Sequence, residues 1–356
     1  MQDIAESELL VSVEMLEAFV IAALVAAGSA RGQANSVGKA LSSASLRGVD
    51  SHGVRLLTHY VRVLESGRVA RDPQLGVRRT APAAAIVDAD DGFGHYASYR
   101  AVEEACTLAR QTGLAAVSVI NSSHFGAAGC YALHAAQQGL VGLAFCNSDS
   151  FVLPFGGTVP FHGTNPIAFA APVRGERPYL VDMATSIVPF NRIQDYRSKG
   201  LSLPEDVAVD GEGAMTVVPA EVQALLPVGG MRFGYKGAAL AGMVEILSAV
   251  LTGMAHCSAL LPMAGGDMST PRRLGHFFIV TNPEAFVGRD TYERGMAAYL
   301  ADIRRQPAKP GGRVMAAGDR EWATEDRRAA SGIPMAPALV GEYREIAARY
   351  GLRPIG

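Results

Sequence analysis

Cysteine is scarce and unpaired. Cys106, Cys130, Cys146 and Cys257 are spread over 356 residues without a CxxC spacing, which argues against a disulfide framework and a cysteine-based zinc site. Reduced, buried thiols are the expectation. Charge is thin as well: 32 Lys+Arg against 34 Asp+Glu leave a formal balance of −2, with no basic footprint for nucleic acid. No Lys or Arg precedes Arg31, while Glu6, Glu8, Glu14 and Glu17 occupy the same stretch, so no signal peptide is read there. Long hydrophobic runs are missing. Ala18 to Ala27 falls short of the ~20 residues a membrane span needs, and Gly237 to Ala255 is interrupted by Glu245, the pattern of a buried helix. These absences predict a cytoplasmic protein that meets neither membrane nor nucleic acid.

What is present points to a folded, core-rich chain. Hydrophobic residues make up 49% and charged residues 19%, which excludes intrinsic disorder. At roughly 150 residues per domain the length implies about two domains. So little polar surface favours burial between subunits. Helical spacing predicts helices over Leu9 to Ala27, Asn35 to Leu46, and Val54 to a stop at Gly67. Alternating strands and helices follow: strand Ala84–Asp88, helix Ser98–Gln111, strand Ala115–Ile120, helix Gly126–Gln138 and strand Val141–Cys146. Further strands are expected at Ile167–Ala171, Tyr179–Asp182 and His276–Val280, with a long apolar helix at Gly237 to Met254. Helix Tyr292–Arg305, a loop at Gln306–Gly312 and a last helical segment toward Gly351 complete the reading.

Several motifs carry chemistry. Gly92-Phe93-Gly94-His95-Tyr96-Ala97 fits GxGxxA between a strand and a helix, the context of a dinucleotide fingerprint. That fingerprint also needs a carboxylate ending the next strand, which here ends in Asn121-Ser122-Ser123, so a Rossmann site is disfavoured. Arg47-Gly48-Val49-Asp50-Ser51-His52-Gly53-Val54-Arg55, running on to His59 and Tyr60, suits a substrate anion beside an acid–base histidine. It equally suits a solvated capping loop with Asp50 or Ser51 as N-cap. Asn121 to Gly129, with His124 inside it, places small residues where backbone N–H groups can approach a pyrophosphate, or forms a tight strand–helix turn with a capping histidine. Pro154 to Gly157, His162 to Pro166 and Asp182 to Ser186 are small polar runs at strand ends, where ligand loops gather. Lys236 stands at the positive end of a helix, a poor place for a cation unless an anion neutralises it.

In this order the blocks DSHG, SSHFGAAG, PFGG, GTNP, DMATS and the KG before the long helix resemble the malate/L-lactate dehydrogenase family. That family also holds ureidoglycolate dehydrogenase, sulfolactate dehydrogenase and cyclic-imine reductases. The resemblance runs from about residue 10 to Gly351. It implies an α/β (α+β) class with a non-Rossmann, sulfolactate-dehydrogenase-like fold: a central mixed, largely antiparallel sheet with helical segments from both termini. Residues 1–75 would pack with helices of 285–356, and 76–284 would form the sheet domain that binds the nicotinamide cofactor. It further implies a homodimer, NAD or NADP as cofactor, and a small anionic substrate, a 2-oxo or 2-hydroxy acid. His52 would be the proton donor with Ser51 supporting it, and His124 would lie near the reacting carbon. Arg55, Tyr60, Thr164 and Asp149 would bind substrate. His124, Phe125, Gly126, Ala127, Ala128, Asp182, Met183, Ala184, Phe190, Asn191, Gly234 and Lys236 would meet the cofactor.

Three departures bear on substrate. Relatives carry an arginine four residues after the histidine, where this chain has Leu56, and Arg55 is displaced by about 100° on a helix. After DMATS the usual Gly-Lys is replaced by Pro189-Phe190-Asn191-Arg192. Arg192 stands where imine reductases have an aspartate, which disfavours the alternative of cyclic imino acid reduction. The stretch Pro227 to Gly237 is also a few residues longer. A metal-dependent hydrolase built on His52, His59 and His124 would need HxH or HExxH spacing, which is lacking, so no metal is expected. A non-catalytic binding protein would not need the intact Ser51-His52 and His124.

Overall fold

Short runs rich in Val, Ile, Phe and Ala, bounded by turns, form strands, and longer runs with helical spacing form helices. A computed structural model describing residues 8–355 gives the order β1 (Leu9–Val11), α1 (Val13–Ala26), α2 (Arg31–Leu46), α3 (Leu57–Glu65), β2 (Gly76–Ala81), β3 (Ala84–Asp88), α4 (Gly94–Thr112), β4 (Leu114–Ser122), α5 (Gly129–Ala136), β5 (Val141–Cys146), β6 (Ile167–Ala171), β7 (Tyr179–Met183), α6 (Phe190–Ser198), β8 (Ala208–Val209), β9 (Met215–Thr216), β10 (Ala224–Leu225), α7 (Gly230–Phe233), α8 (Tyr235–Glu245), β11 (Leu274–Thr281), α9 (Arg289–Arg304), α10 (Asp319–Ser331), β12 (Ile333–Met335) and α11 (Pro337–Tyr350).

Seven strands make the main sheet, in the order β2-β3-β4-β11-β5-β6-β7. Only β3 and β4 run parallel, joined by the crossover helix α4, as parallel neighbours require. Every other pair is antiparallel. The mixed, largely antiparallel sheet is therefore as expected. Its inward side chains, among them Val87, Val117, Val119, Ala144, Ala168 and Phe278, pack under α4 and α5. A second core joins the chain ends. Leu16, Val20, Leu24, Leu41, Leu57 and Leu64 from α1 to α3 meet Tyr343 and Ile346 of α11, and β1 pairs with β12. The remaining C-terminal helices lie elsewhere: Leu300 of α9 packs on Val173, and Trp322 of α10 joins the sheet core. A small sheet, β10-β8-β9, covers a third cluster around Val152, Ile193 and Leu203.

Several boundaries differ from the sequence expectation for physical reasons. Leu9–Val11 is strand, because Ser12 caps α1 by accepting the Met15 N–H at 3.3 Å. Helix α5 begins at Gly129 and not at Gly126, since Gly126 sits at φ +74°, a left-handed conformation that stops a helix from forming. The long apolar helix keeps α geometry only to Glu245 and continues as a π turn over Ile246–Val250. Strand β2 escapes pattern reading because all six of its residues are exposed on the sheet edge.

The GxGxxA run does open a helix, but its glycines serve packing. A Cβ on Gly94 would collide with the Ser123 carbonyl and lie 2.9 Å from both the His124 carbonyl and Phe125 Cβ. The Gly94 N–H is taken by Ser123 Oγ at 3.0 Å. Gly94→Ala is therefore expected to destabilise the fold by about 1–3 kcal/mol, read as a lowered Tm both with and without cofactor. A raised KM for NAD(P)H at unchanged Tm would instead mean that this glycine approaches a phosphate.

Candidate active site

One end of the sheet collects the candidate residues. β4 and β5 finish where β11 starts, with Ser122 opposite Leu274 and Cys146 opposite His276. The segments after β4 (His124 to Ala128) and after β5 (Asn147 to Asp149) therefore share an edge with Arg272, just ahead of β11. β6 starts at the same edge, Ile167 pairing with Met183 near the end of β7. Thr164 thus enters, and Asp182 to Ala184 leave, at the same place.

The Ser51-His52 turn is brought to this edge from outside the sheet. It is a 3-10 turn, Asp50–His52, gripped on several sides. Arg328 of α10 binds both Asp50 carboxylate oxygens, at 2.6 and 2.9 Å. Ser45 Oγ accepts the Val54 N–H at 3.0 Å, and Asn191 Nδ2 donates to the Ser51 carbonyl at 2.9 Å. Within the turn Ser51 Oγ and His52 Nδ1 are 2.9 Å apart. The His52 ring stacks on His124, with centroids 5.7 Å apart and planes at 24°. His124 Nδ1 lies 2.6 Å from the Tyr60 hydroxyl. Tyr60 is only 1% exposed and stands edge-on to His95 at 4.9 Å.

Burial keeps these groups neutral. It pushes His52 down to about 4, helped by the charge of Arg55. It holds His124 well below the usual histidine range, with His52 and His95 adding to the effect, and it raises the Tyr60 phenol well above 10. A neutral buried phenol needs an acceptor for its proton, and Nδ1 of His124 is the partner present. Tyr60 thus donates, and His124 carries its own hydrogen on Nε2. His59 is lowered to about 4 by burial and then by Arg272, Arg68 and Arg62.

The remaining candidates fall into three groups. Thr164 is bound into the site: its carbonyl accepts the Thr185 N–H at 2.9 Å, and its hydroxyl lies 3.1 Å from Ser148 Oγ. Asp182 rests on the start of α5, where it takes the Gly129 N–H; burial nonetheless raises its carboxyl to about 6, against the pull of that N–H and of Arg47. Met183 is exposed, with Ala184 half-buried beside it. Most of the others are committed to structure. Phe190 stacks on Phe151 at 4.2 Å, and Asp149 is paired with the buried Arg272 while accepting the Met263 N–H at 2.7 Å. Tyr60 lies behind His124, which it holds. Arg55 is exposed, and Lys236 extends over Phe233 and Tyr235, 5.8 and 5.9 Å from their ring centres. Gly234, at the junction of α7 and α8, is packed on Pro227 and the Gly230 carbonyl.

The loop after β4 fits a dinucleotide. Phe125 to Ala128 are buried, yet the backbone N–H groups of His124, Phe125, Gly126, Ala127 and Ala128 reach no acceptor among the described residues. Backbone N–H groups without partners are rare in buried segments, and these five are left available to phosphate or carboxamide oxygens. The α5 terminus itself is already answered by Asp182. His95, with both ring nitrogens buried and unpartnered, backs this loop. Among the described residues no three His, Cys, Asp or Glu side chains gather as a metal site. Sequence reasoning missed His95 inside the GxGxxA run, and missed Arg272 because its partner lies 123 residues away.

A profile described as malate/L-lactate dehydrogenase matches residues 11–343. The chain belongs to this family. It is an oxidoreductase, an NAD(P)-dependent dehydrogenase of 2-hydroxy acids. It is 36% identical to malate dehydrogenase of Pyrococcus abyssi over 345 residues, covering 95% of this chain and 94% of that one. It is 34% identical to the NAD(+) ureidoglycolate dehydrogenase of Escherichia coli K12 over 301 residues, 85% of each. With the NADP(+) (2R)-3-sulfolactate dehydrogenase of Chromohalobacter salexigens it shares 35% over 340 residues, 95% of this chain and 98% of that one. The solved malate dehydrogenase of Pyrococcus horikoshii superposes with a TM-score of 0.90 at 33% identity and 98% coverage of both chains. The δ1-piperideine-2-carboxylate reductase of Pseudomonas syringae gives 0.84 at 31%, covering 95% of this chain and 100% of that one.

Two expectations follow from the geometry. Tyr60→Phe leaves His124 free to change tautomer, and the loss of one buried hydrogen bond should lower kcat about tenfold with KM for NAD(P)H within about twofold. An unchanged kcat contradicts the role given to Tyr60. Separately, His95 and His276 are held at about 3 by burial, below the 6.5 of an unfolded chain. Their contribution is complete above pH 6.5 and is lost as pH falls toward 3, by up to ~1.4 kcal/mol per pKa unit for each. Urea midpoints at pH 7.5 and 5 should show this decline, and equal midpoints would refute neutral burial.

Proposed function

We propose that this dehydrogenase interconverts a small anionic 2-oxo acid and its 2-hydroxy acid, with His52 as acid–base. The stacked His52–His124 pair beside the five unpartnered N–H groups is the observation that carries this reading. NAD(P), held by the loop from His124 to Ala128, would supply the acceptor or donor of the hydride. Ser51 Oγ occupies His52 Nδ1, which leaves Nε2 to exchange the substrate hydroxyl proton. His52 is neutral at pH 7 and ready to take that proton during oxidation; in the reverse direction the substrate carboxylate favours the protonated imidazole that returns it. His124 Nε2–H donates to the same oxygen as negative charge develops there. Thr164 and Ser148 offer hydroxyls to the substrate, and Arg55 at the mouth supplies a positive charge for its carboxylate. Arg192 lies 5.5 Å over the Tyr196 ring of its own helix and offers no carboxylate to Ser51, so a Ser–Asp relay for imines has no counterpart.

Absorbance of NADH and NADPH, followed with a panel of 2-oxo acids and one cyclic imino acid, tests this. His52→Ala should lose about 10²–10⁴ in kcat, and undiminished turnover would remove the assignment. kcat/KM for the oxo acid should fall with rising pH by up to roughly tenfold per unit, while that for the hydroxy acid stays level down to the His52 pKa.

A homodimer belongs to this proposal. The outer face of α7, α8 and the π turn exposes Met231, Phe233, Tyr235, Leu240, Met243, Ile246, Val250 and Leu251, while Ala241, Val244 and Ala249 face inward. A helix apolar on both faces is a buried helix, and an apolar stripe interrupted only by Arg232 and Lys236 suits a second copy at roughly 800 Å² per partner. Met243→Glu with Ile246→Glu should convert the dimer to monomer in light scattering; an unchanged mass places the interface elsewhere. All four cysteines are free and buried, and no helix among the described residues is long and apolar enough to cross a membrane. The free thiols suit a reducing compartment such as the cytoplasm.

A further inference from the structure

We propose that Glu245 is a positioning residue: a buried carboxylate that sets the substrate-facing wall by holding two loops at once. This rests on the proposed placement of substrate at the sheet edge that carries Ser148 and Thr164. Glu245 is 6% exposed and is satisfied by neutral donors alone. Its Oε1 accepts from Asn147 Nδ2 at 3.1 Å and from the Cys257 N–H at 2.7 Å, and its Oε2 accepts from Asn165 Nδ2 at 2.8 Å. These donors come from three segments: the loop after β5, the loop before β6, and the turn at Cys257. A carboxylate withdrawn from water is tolerated when its lone pairs are filled in this way.

The loops held are the ones that face substrate. Asn147 and Asn165 are themselves 0% exposed, so they cannot touch a ligand, but each precedes or follows a residue that can. Asn165, at φ +32°, is kept in its left-handed conformation by Glu245 and by its bond to the Ala241 carbonyl at 3.1 Å. Its Oδ1 accepts the Ser148 N–H at 3.1 Å. That bond brings Ser148 Oγ to 3.1 Å from Thr164 Oγ1. Asp149, the next residue, fixes Arg272, whose charge acts on His124 and His59. Glu245 therefore governs the spacing of two hydroxyls and one guanidinium through a single carboxylate. The loop from His124 to Ala128 makes no hydrogen bond to this network and feels it only through the charge of Arg272, so the effect falls chiefly on substrate.

The test is Glu245→Gln, which keeps the shape. If the amide oxygen stays on Asn147 and Cys257, its Nε2 meets Asn165 Nδ2, donor against donor. KM for the 2-oxo acid should rise about tenfold, the value of one lost hydrogen bond to a charged group, with KM for NAD(P)H within about twofold and the pH profile unmoved. Equal increases in both KM values would overturn the proposal. Oxamate binding in the presence of NAD(P)H, measured by calorimetry, reads the same wall without turnover. It should weaken in Glu245→Gln by the factor seen in KM, and undiminished oxamate affinity would also overturn the proposal. Absence of turnover in the native chain counts against the proposed function alone.

Discussion

The site depends on β11 entering the sheet between β4 and β5. Neither neighbour pairs with the other, so the distance between the loops that follow them is set by a strand more than a hundred residues away in sequence. Because β11 is antiparallel to both, its start meets their ends. That polarity gathers His124, the Asn147–Asp149 loop and Arg272 at one edge. A parallel β11 would have sent Arg272 to the far end of the sheet, away from every imidazole described above.

A second theme is the exclusion of formal charge from the interior of the site. Its rings are stacked and desolvated, and the carboxylate of Glu245 sits among neutral donors. Arg272 is balanced by Asp149, and Asp182 by the Gly129 N–H. What remains unanswered is a row of backbone donors on the loop after β4. Such a site is pre-set to receive anions: developing charge meets fixed N–H dipoles in a medium of low polarisability, where they act most strongly.

Sequence patterns made the fold largely legible where burial follows a simple period. β3, β5 and β6 coincide with their apolar runs because each alternates or is buried on both faces. The exposed edge strand β2 and the two-residue strands around Val209 have no such pattern, being held by neighbours and not by their own burial. In the candidate site, motif blocks pointed to Ser51, His52, His124 and Thr164, and the fold brings the Ser51-His52 turn against His124. Arg272, Glu245 and His95 were opaque for the opposite reason. Their partners lie on other elements, and in isolation an arginine, a glutamate or a histidine reads as surface or core. Tyr60 shows an intermediate case: the sequence suggested a substrate contact, and the fold instead gives it a buried hydroxyl facing a ring nitrogen.

The late position of β11 also has a consequence for biosynthesis. As the chain leaves the ribosome, β2 to β4 and β5 to β7 are complete long before Thr281 appears. Each set ends in an open strand edge, β4 on one side and β5 on the other, the first carrying Ala115, Val117, Val119 and Ile120 and the second Val141, Leu143, Ala144 and Phe145. Until the returning strand closes the gap, these edges are free to pair with other chains. Successful assembly is therefore a matter of timing as much as of final stability, and the last segment to reach the sheet is the one that makes its centre.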